Sequence, residues 1–255
     1  MFWFAFATSV DYIVLGVILF IAYKKHGGEK LSFSLKRGKE ILSKSYHYIL
    51  SGLMVSIYGH TDKFMLKQML SETQVGYYAT ATALCTMWTF VLYAIIDSMY
   101  PTIVKAFKKD KYVFEKRNRQ LYSIVFYVSV FVSLCFMLFG DFAIGFLYGE
   151  EYLPAVNPLK MVTWYTAFSF LGVARSAWMV CNDKQKYLKY MYIPAIIINV
   201  GLNYLLIPSM GATGAALASL ITQVFTSIIL PLFIKDLRPN AKLMLEGIFL
   251  RKIKE

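Results

Sequence analysis

Ser45, Gly52, Ser56, His60, Lys63 and Lys67 follow one another at intervals of seven, four, four, three and four, which draws a single polar stripe along a helix. In an otherwise apolar segment such a stripe faces a neighbouring helix or a watery cavity. His60 and Lys63 would offer donors and positive charge to an anionic ligand there. His60 lies ten residues before Leu70, about 15 Å by helix rise and so near the middle of a span. Lys63 is nearer the surface and long enough to reach it. An interhelical hydrogen-bonding face with two snorkelling lysines fits the same spacing. Asp62 falls about 200° around the helix from His60 and is expected to pair with another helix.

Arg175 stands seven residues before Asn182, about 10 Å inside the end of its apolar segment. A guanidinium keeps its charge, and its planar fork matches phosphate oxygens, so Arg175 is a substrate-binding candidate beside His60 and Lys63. Snorkelling toward the nearer surface is the competing reading. Asp11 and Asp97, inside two further apolar segments, and Asp62 are read as ion-coupling sites, counter-ions or salt-bridge partners. Asn199 and Asn203, at i and i+4, and the small residues Gly211, Gly214, Ala215, Ala216 and Ala218 predict close helix packing with amides bonding across it. Pro101, Pro194 and Pro231 suit kinked or interrupted helices.

The motifs of soluble enzymes are absent: there is no GxxxxGK[ST], HExxH, CxxC or GxSxG. His26, His47 and His60 are too scattered for a ligand set, and Cys85, Cys135 and Cys181 lie in apolar runs with no metal spacing. We therefore expect no catalytic residues, no metal and no cofactor.

The elements that hold these residues are written in the charge pattern. Of 27 Lys and Arg residues, 23 fall in 24–44, 105–119, 184–189 and 235–254, and apolar runs separate these stretches. With 58% apolar, 17% aromatic and 16% charged residues, this is a membrane composition. The net charge of +12 sits beside the apolar runs, so anionic membrane lipids rather than nucleic acid are its expected partner. Seven spans are predicted, at about 2–23, 44–70, 76–107, 119–139, 157–181, 187–207 and 214–234. Without barrel alternation they read as helices, and the fold class is all-α, a polytopic transmembrane helical bundle. The organisation expected is a single span with a basic loop (1–43), a six-helix lobe (44–234) and a basic cytoplasmic tail (235–255).

Basic stretches mark the cytoplasmic side. The turns at 71–75, 140–156 and 208–213 carry no Lys or Arg and face outward, which places the N-terminus outside and the C-terminus inside. Residues 2–23 lack the basic start and cleavage site of a signal peptide. An outside start without a targeting signal leads us to expect that Met1 is internal to a longer chain.

The order of these features resembles the lipid-linked oligosaccharide flippases of bacterial polysaccharide export, the O-antigen flippase group within the superfamily that also holds the MATE drug exporters and the lipid II flippase. Three stretches carry the resemblance. Asp62-Lys63-Phe64-Met65-Leu66 followed by Val75-Gly76-Tyr77-Tyr78 and Ala81 is similar to the family's D-x-x-M-L…V-G-x-Y…A at its seventh and eighth helices. Asp97 to Pro101, with the basic stretch after it, is similar to the end of the eighth. Asn199-x3-Asn203, Ile207-Pro208 and Gly211-Ala212-x-Gly214-Ala215-Ala216 are similar to N-x3-N…I-P…G-x-x-G-A-A between the eleventh and twelfth.

The resemblance implies the C-terminal lobe plus one helix of the other, with the first five helices missing. It further implies alternating access between two lobes and an undecaprenyl-pyrophosphate-linked glycan as partner in the bacterial cytoplasmic (inner) membrane. The missing N-terminal lobe would be supplied by the same chain or by a partner chain. Two alternatives stay open. A MATE-type drug exporter would line its cavity with acids, so the membrane-facing or cavity-facing position of Lys63, Lys67, Arg175, Asp11, Asp62 and Asp97 separates the two. A membrane-embedded glycan-modifying transferase would use His60 or Asp62 as general base and needs a polar outer loop.

The charge pattern makes a direct prediction. In a cysteine-free background, a cysteine at Gly149 labels from outside intact cells, whereas one at Lys109 labels only after permeabilisation. Labelling of position 109 by an impermeant reagent reverses the topology.

Overall fold

The computed structural model describes residues 2–28 and 34–250, and side chains within these except at 2–5, 7–8, 44–52 and 54–55. The described residues are helical, without strands. They form two units, the first ending at Tyr48 and the second beginning at Ile49. The first holds α1 (Phe2–Lys25), whose last turn carries Lys24 and Lys25. The second contains α2 (Leu35–Met69) from Ile49 onward, then α3 (Glu72–Thr86), α4 (Thr89–Lys109), α5 (Lys111–Tyr148), α6 (Val156–Ala174), α7 (Ser176–Cys181), α8 (Leu188–Val224), α9 (Leu230–Phe233) and α10 (Arg238–Ile248).

Several of these helices begin and end on local chemistry. Ser71 caps α3 by accepting from the Gln74 N–H, and Asp110 caps α5 by accepting from the Tyr112 N–H at 2.7 Å. Three segments are long and apolar enough to cross a membrane by length and composition among the described residues: Thr89–Lys109, Lys111–Tyr148 and Gln185–Phe233. The third is folded on itself. Gly211 adopts φ +58° and ψ −135° inside α8, a conformation that suits glycine. Residues 188–210 make an arm of about 34 Å by helix rise, long enough to cross.

The predicted span at 76–107 is two helices, α3 and α4, meeting at Met87 and Trp88. The hydroxyls of Thr82, Thr86 and Thr89 donate to carbonyls three or four residues earlier, Thr86 Oγ1 to Thr82 O at 2.6 Å, a pattern that bends helices. Pro101, where an interruption was expected, lies within α4, which continues to Lys109. The predicted span at 157–181 is likewise divided, with Arg175 between α6 and α7. A widened turn at Phe225–Ile229 precedes Pro231. The segment at 140–156, expected to face outward, holds a shorter turn than expected, because α5 stays helical to Tyr148 before the turn at Gly149 (φ +88°) and a 3-10 turn at Glu150–Ala155.

Two apolar clusters fill the second unit. One, around Leu66, Tyr78, Ile144, Leu159 and Ile207, lies toward the turns that lack basic residues. There Gln74 accepts from the Ala212 N–H at 2.9 Å, which ties the first turn of α3 to the Gly211 fold. The other, around Ile103, Leu121, Tyr122, Trp178 and Met244, lies toward the basic turns. Lys111, Lys184 and Lys235, from three different basic stretches, border one cavity at that end. The charge-marked turns therefore converge in space.

The close approach of the two α8 arms depends on Gly214, where a Cβ would stand 2.4 Å from the Leu206 carbonyl oxygen, whereas a Cβ at Gly201 meets nothing within 4 Å. Gly214→Ala is expected to cost about 1–3 kcal/mol by overpacking, and Gly201→Ala to be neutral or slightly stabilising. Thermal unfolding of the two purified variants checks the contrast.

Candidate functional site

Asp62 is 5% exposed and stands in the middle of the second unit. Its position follows from α2: Tyr58, Asp62, Leu66 and Met69 recur at intervals of four, four and three on the face that packs inward. Four side chains from two other helices donate to its carboxylate. Asn203 Nδ2 and Asn199 Nδ2 reach Oδ1 at 2.7 and 3.2 Å. The Ser219 and Tyr78 hydroxyls reach Oδ2, each at 2.5 Å. The asparagines sit on the first arm of α8, Ser219 on the second and Tyr78 on α3. The donors are themselves linked, Asn199 to Ser219 at 3.0 Å and Asn203 to Asn199 at 3.2 Å. Asp62 makes no ion pair with a described Lys or Arg, and the buried Asn203 Oδ1 has no donor.

A cavity of about 210 Å³ opens beside this carboxylate, bordered by Tyr58, Lys63, Thr82, Thr86 and Tyr165. A second, of about 460 Å³, is bordered by Arg175, Tyr93, Tyr192 and Gln223 and by the same Tyr58 and Tyr165. Two tyrosines thus wall both.

Arg175 is 2% exposed and buried, not extended toward a surface. Its Nη2 donates to the Ser227 carbonyl at 2.5 Å and its Nη1 to the Met191 sulfur at 3.4 Å, while the buried Nε has no partner. Pro231 explains the first contact in part: it has no N–H to offer the carbonyl four residues earlier, which is that of Ser227. No carboxylate pairs with Arg175 among the described residues, and an uncompensated buried guanidinium is costly. The arrangement suits an anion in the larger cavity.

The family model described as polysaccharide biosynthesis protein matches residues 3–157, more than half of the chain. The chain belongs to that family. Among curated proteins it is similar to the lipid II flippase MurJ of Bacillus subtilis, 23% identical over 230 residues, covering 80% of this chain and 42% of that protein. It is similar to the probable low-salt glycan biosynthesis flippase Agl15 of Haloferax volcanii, 20% identical over 232 residues (88% and 48%). It is also similar to the capsular polysaccharide biosynthesis protein CapF of Staphylococcus aureus, 20% identical over 195 residues (74% and 48%). The chain spans about half the length of the curated relatives it matches. No solved structure matches it. The family match and the flippase names agree with the resemblance read from Asp62–Leu66 and Asn199–Ala216, and the chain is a multi-pass membrane protein.

Within this family member the residues singled out from sequence part company. Lys63 borders the Asp62 cavity and Arg175 the adjoining one. His60 and Ser56 are exposed on the opposite face of α2, and Lys67, also exposed, pairs with Glu72 at 2.9 Å, a contact of little energetic weight at the surface. Ser45 and Gly52 lie outside the residues whose side chains are described. Asp97 is exposed on α4, and Asp11 belongs to α1 in the first unit. Asn199 and Asn203 are fully buried and bond across helices as expected, and the helix that Asp62 pairs with is now identified as α8 together with α3.

Sequence reading missed Tyr58, Tyr165 and Ser219 and had Tyr78 only within the family resemblance. The first was findable, since it lies one turn before Asp62 on the same face. At the basic end, the Lys184 ammonium donates to Asp236 at 2.6 Å and the Tyr187 hydroxyl donates to the same carboxylate. The Lys184 bond, then that of Tyr187, holds the Asp236 carboxyl below the usual range. Among the described residues no three His, Cys, Asp or Glu side chains cluster as metal ligands.

Removing the Asp62 carboxylate strands four buried donors. Asp62→Ala is expected to destabilise the protein by about 3–5 kcal/mol, as breaking a buried charged network does. Tyr78→Phe, which deletes one donor and leaves the carboxylate three others, is expected to cost about 1 kcal/mol. Membrane abundance and thermal unfolding of the two variants measure the difference, and equal effects contradict the network.

Proposed function

We propose that this chain is one wall of a flippase that carries an undecaprenyl-pyrophosphate-linked oligosaccharide across the bacterial cytoplasmic membrane for polysaccharide or O-antigen synthesis. It works by alternating access against a second lobe. It moves its substrate without breaking a bond and is not an enzyme. One observation supports this reading above the others. Of the six charges weighed from sequence, Lys63, Arg175 and Asp62 border the cavities; Asp62 already accepts four hydrogen bonds, whereas Arg175 has no acidic partner. The polar balance available to a ligand is positive, which favours a phosphate-bearing substrate over a cationic drug.

In this reading Arg175 holds the pyrophosphate and Lys63 adds charge on its path. Asp62, whose two oxygens already accept from four donors, ties α2 to α3 and α8, while Asp97 is exposed on α4 and Asp11 belongs to the first unit. The exposed stripe of Ser56, His60 and Lys67 faces the second lobe. Two relatives bear flippase names, one for lipid II and one for glycan biosynthesis, and they accord with a lipid-linked glycan. The undecaprenyl carrier and the bacterial membrane follow from the resemblance to the bacterial export group, since Haloferax volcanii is an archaeon. A transferase is disfavoured because α5 runs to Tyr148 and leaves little outer loop to hold a soluble co-substrate.

Glycan export tests the assignment. Arg175→Lys keeps the charge but loses the fork and is expected to lower export about tenfold or more at normal membrane abundance, and Arg175→Ala to lower it further. Export at the parental rate by Arg175→Lys refutes phosphate binding at this residue.

A further inference from the structure

At the basic end, α10 lies along the start of α5. Its contact face carries Asn240, Ala241, Leu243, Met244 and Gly247, all buried. Asn240 donates to the Tyr122 hydroxyl at 2.6 Å, and the hydroxyls of Ser123 and Tyr127 donate to the carbonyls of Gly247 and Ile248 at 2.8 Å. Gly247 allows the approach, because a Cβ there would stand 2.9 Å from the Arg119 carbonyl oxygen.

Beside this seam is a groove of about 660 Å³ bordered by Lys116, Arg117, Arg119, Ile124, Glu246 and Leu250. Arg119 is 9% exposed and bonds the single carboxylate of the groove, Glu246, through Nη1 at 3.1 Å. Its Nε is buried with no partner. Lys116 and Arg117 are exposed and make no ion pair among the described residues. After Glu246 is matched by Arg119, two cations remain uncompensated. The other border is apolar: Ile124 is 42% exposed and Leu250 63%, and Phe249 next to it is 74% exposed. Along α5 the sequence passes from basic to apolar at Gln120–Leu121, so the groove straddles the level where headgroups give way to acyl chains.

We propose that this groove binds the phosphate headgroup of an anionic phospholipid of the cytoplasmic leaflet. The phosphate takes the free Arg119 Nε and the charges of Lys116 and Arg117, and the first acyl carbons lie against Ile124 and Leu250. A soluble anion would satisfy the cations but leave the apolar border uncovered, and a zwitterionic lipid would bring a positive group against Lys116. The bound lipid holds α10 to α5. The site is separate from the Arg175 cavity and does not depend on what that cavity carries.

The test uses the protein purified from membranes, with phosphatidylglycerol, phosphatidylcholine and inorganic phosphate as probes, and binding read by native mass spectrometry and by thermal shift. Phosphatidylglycerol should bind and raise the unfolding temperature, and phosphatidylcholine and phosphate should not. Lys116→Ala/Arg117→Ala is expected to weaken phosphatidylglycerol binding about thirtyfold, from roughly a tenfold or smaller loss per basic residue. Lys108→Ala/Lys109→Ala, a pair of equal charge on α4 at the same end, should change it little. Equal losses in the two pairs would mean diffuse surface attraction and overturn the site. Binding of phosphatidylcholine as tightly, or displacement of phosphatidylglycerol by millimolar phosphate, would overturn it as well.

Discussion

A carboxylate buried in an apolar bundle must be given donors, and Asp62 is the point from which the rest of the second unit is arranged. Asp62 and Leu66 are the fully buried residues of α2 among those described, so the carboxylate is a main tie between that helix and the lobe. Meeting Oδ1 and Oδ2 together requires Asn199, Asn203, Ser219 and Tyr78 to converge, which requires α8 to fold back on itself. The fold in turn needs the positive φ of Gly211 and the missing side chain of Gly214. Desolvation of the charge and backbone freedom at two glycines are therefore one constraint seen from two ends.

Arg175 is the counterweight. It is buried as deeply as Asp62, yet the lobe answers it only with a carbonyl and a thioether. The two opposite charges do not pair; they border adjoining cavities separated by Tyr58 and Tyr165. Interruptions in the helices make this possible. The kink at Met87, the division of α6 from α7 at Arg175 and the widened turn before Pro231 all open space or backbone groups where regular helices would leave none. Irregular backbone at membrane depth is tolerated where it is buried in protein or lines a cavity, and here it does both.

The basic end is built differently. Lysines from three basic stretches border one cavity there, and α10 lies with one face against α5. Residues 235–255 were expected only as a basic tail. Buried Leu243, Met244 and Gly247 lie at the one-turn spacing of a contact face, a short signal easily outweighed by Arg238, Lys242 and the charges that follow. Its partner face on α5 lies more than a hundred residues earlier, so only the fold could bring the two together.

Sequence alone determined the fold class, because that depends on composition and on period along one helix. It also determined that Asp62 turns away from the His60 stripe, which is a matter of 100° per residue. It identified Asn199 and Asn203 as amides that bond across helices, and singled out Arg175 as a cation inside an apolar segment. What it left undetermined are relations between helices: which donors meet Asp62, whether Arg175 snorkels or stays inside, and that Lys63 reaches a cavity while His60 does not. Those depend on where distant segments cross, which the Gly211 fold and the packing around Leu66, Tyr78 and Ile207 decide. No local period carries that information, since the residues that meet are as far apart as Asp62 and Ser219.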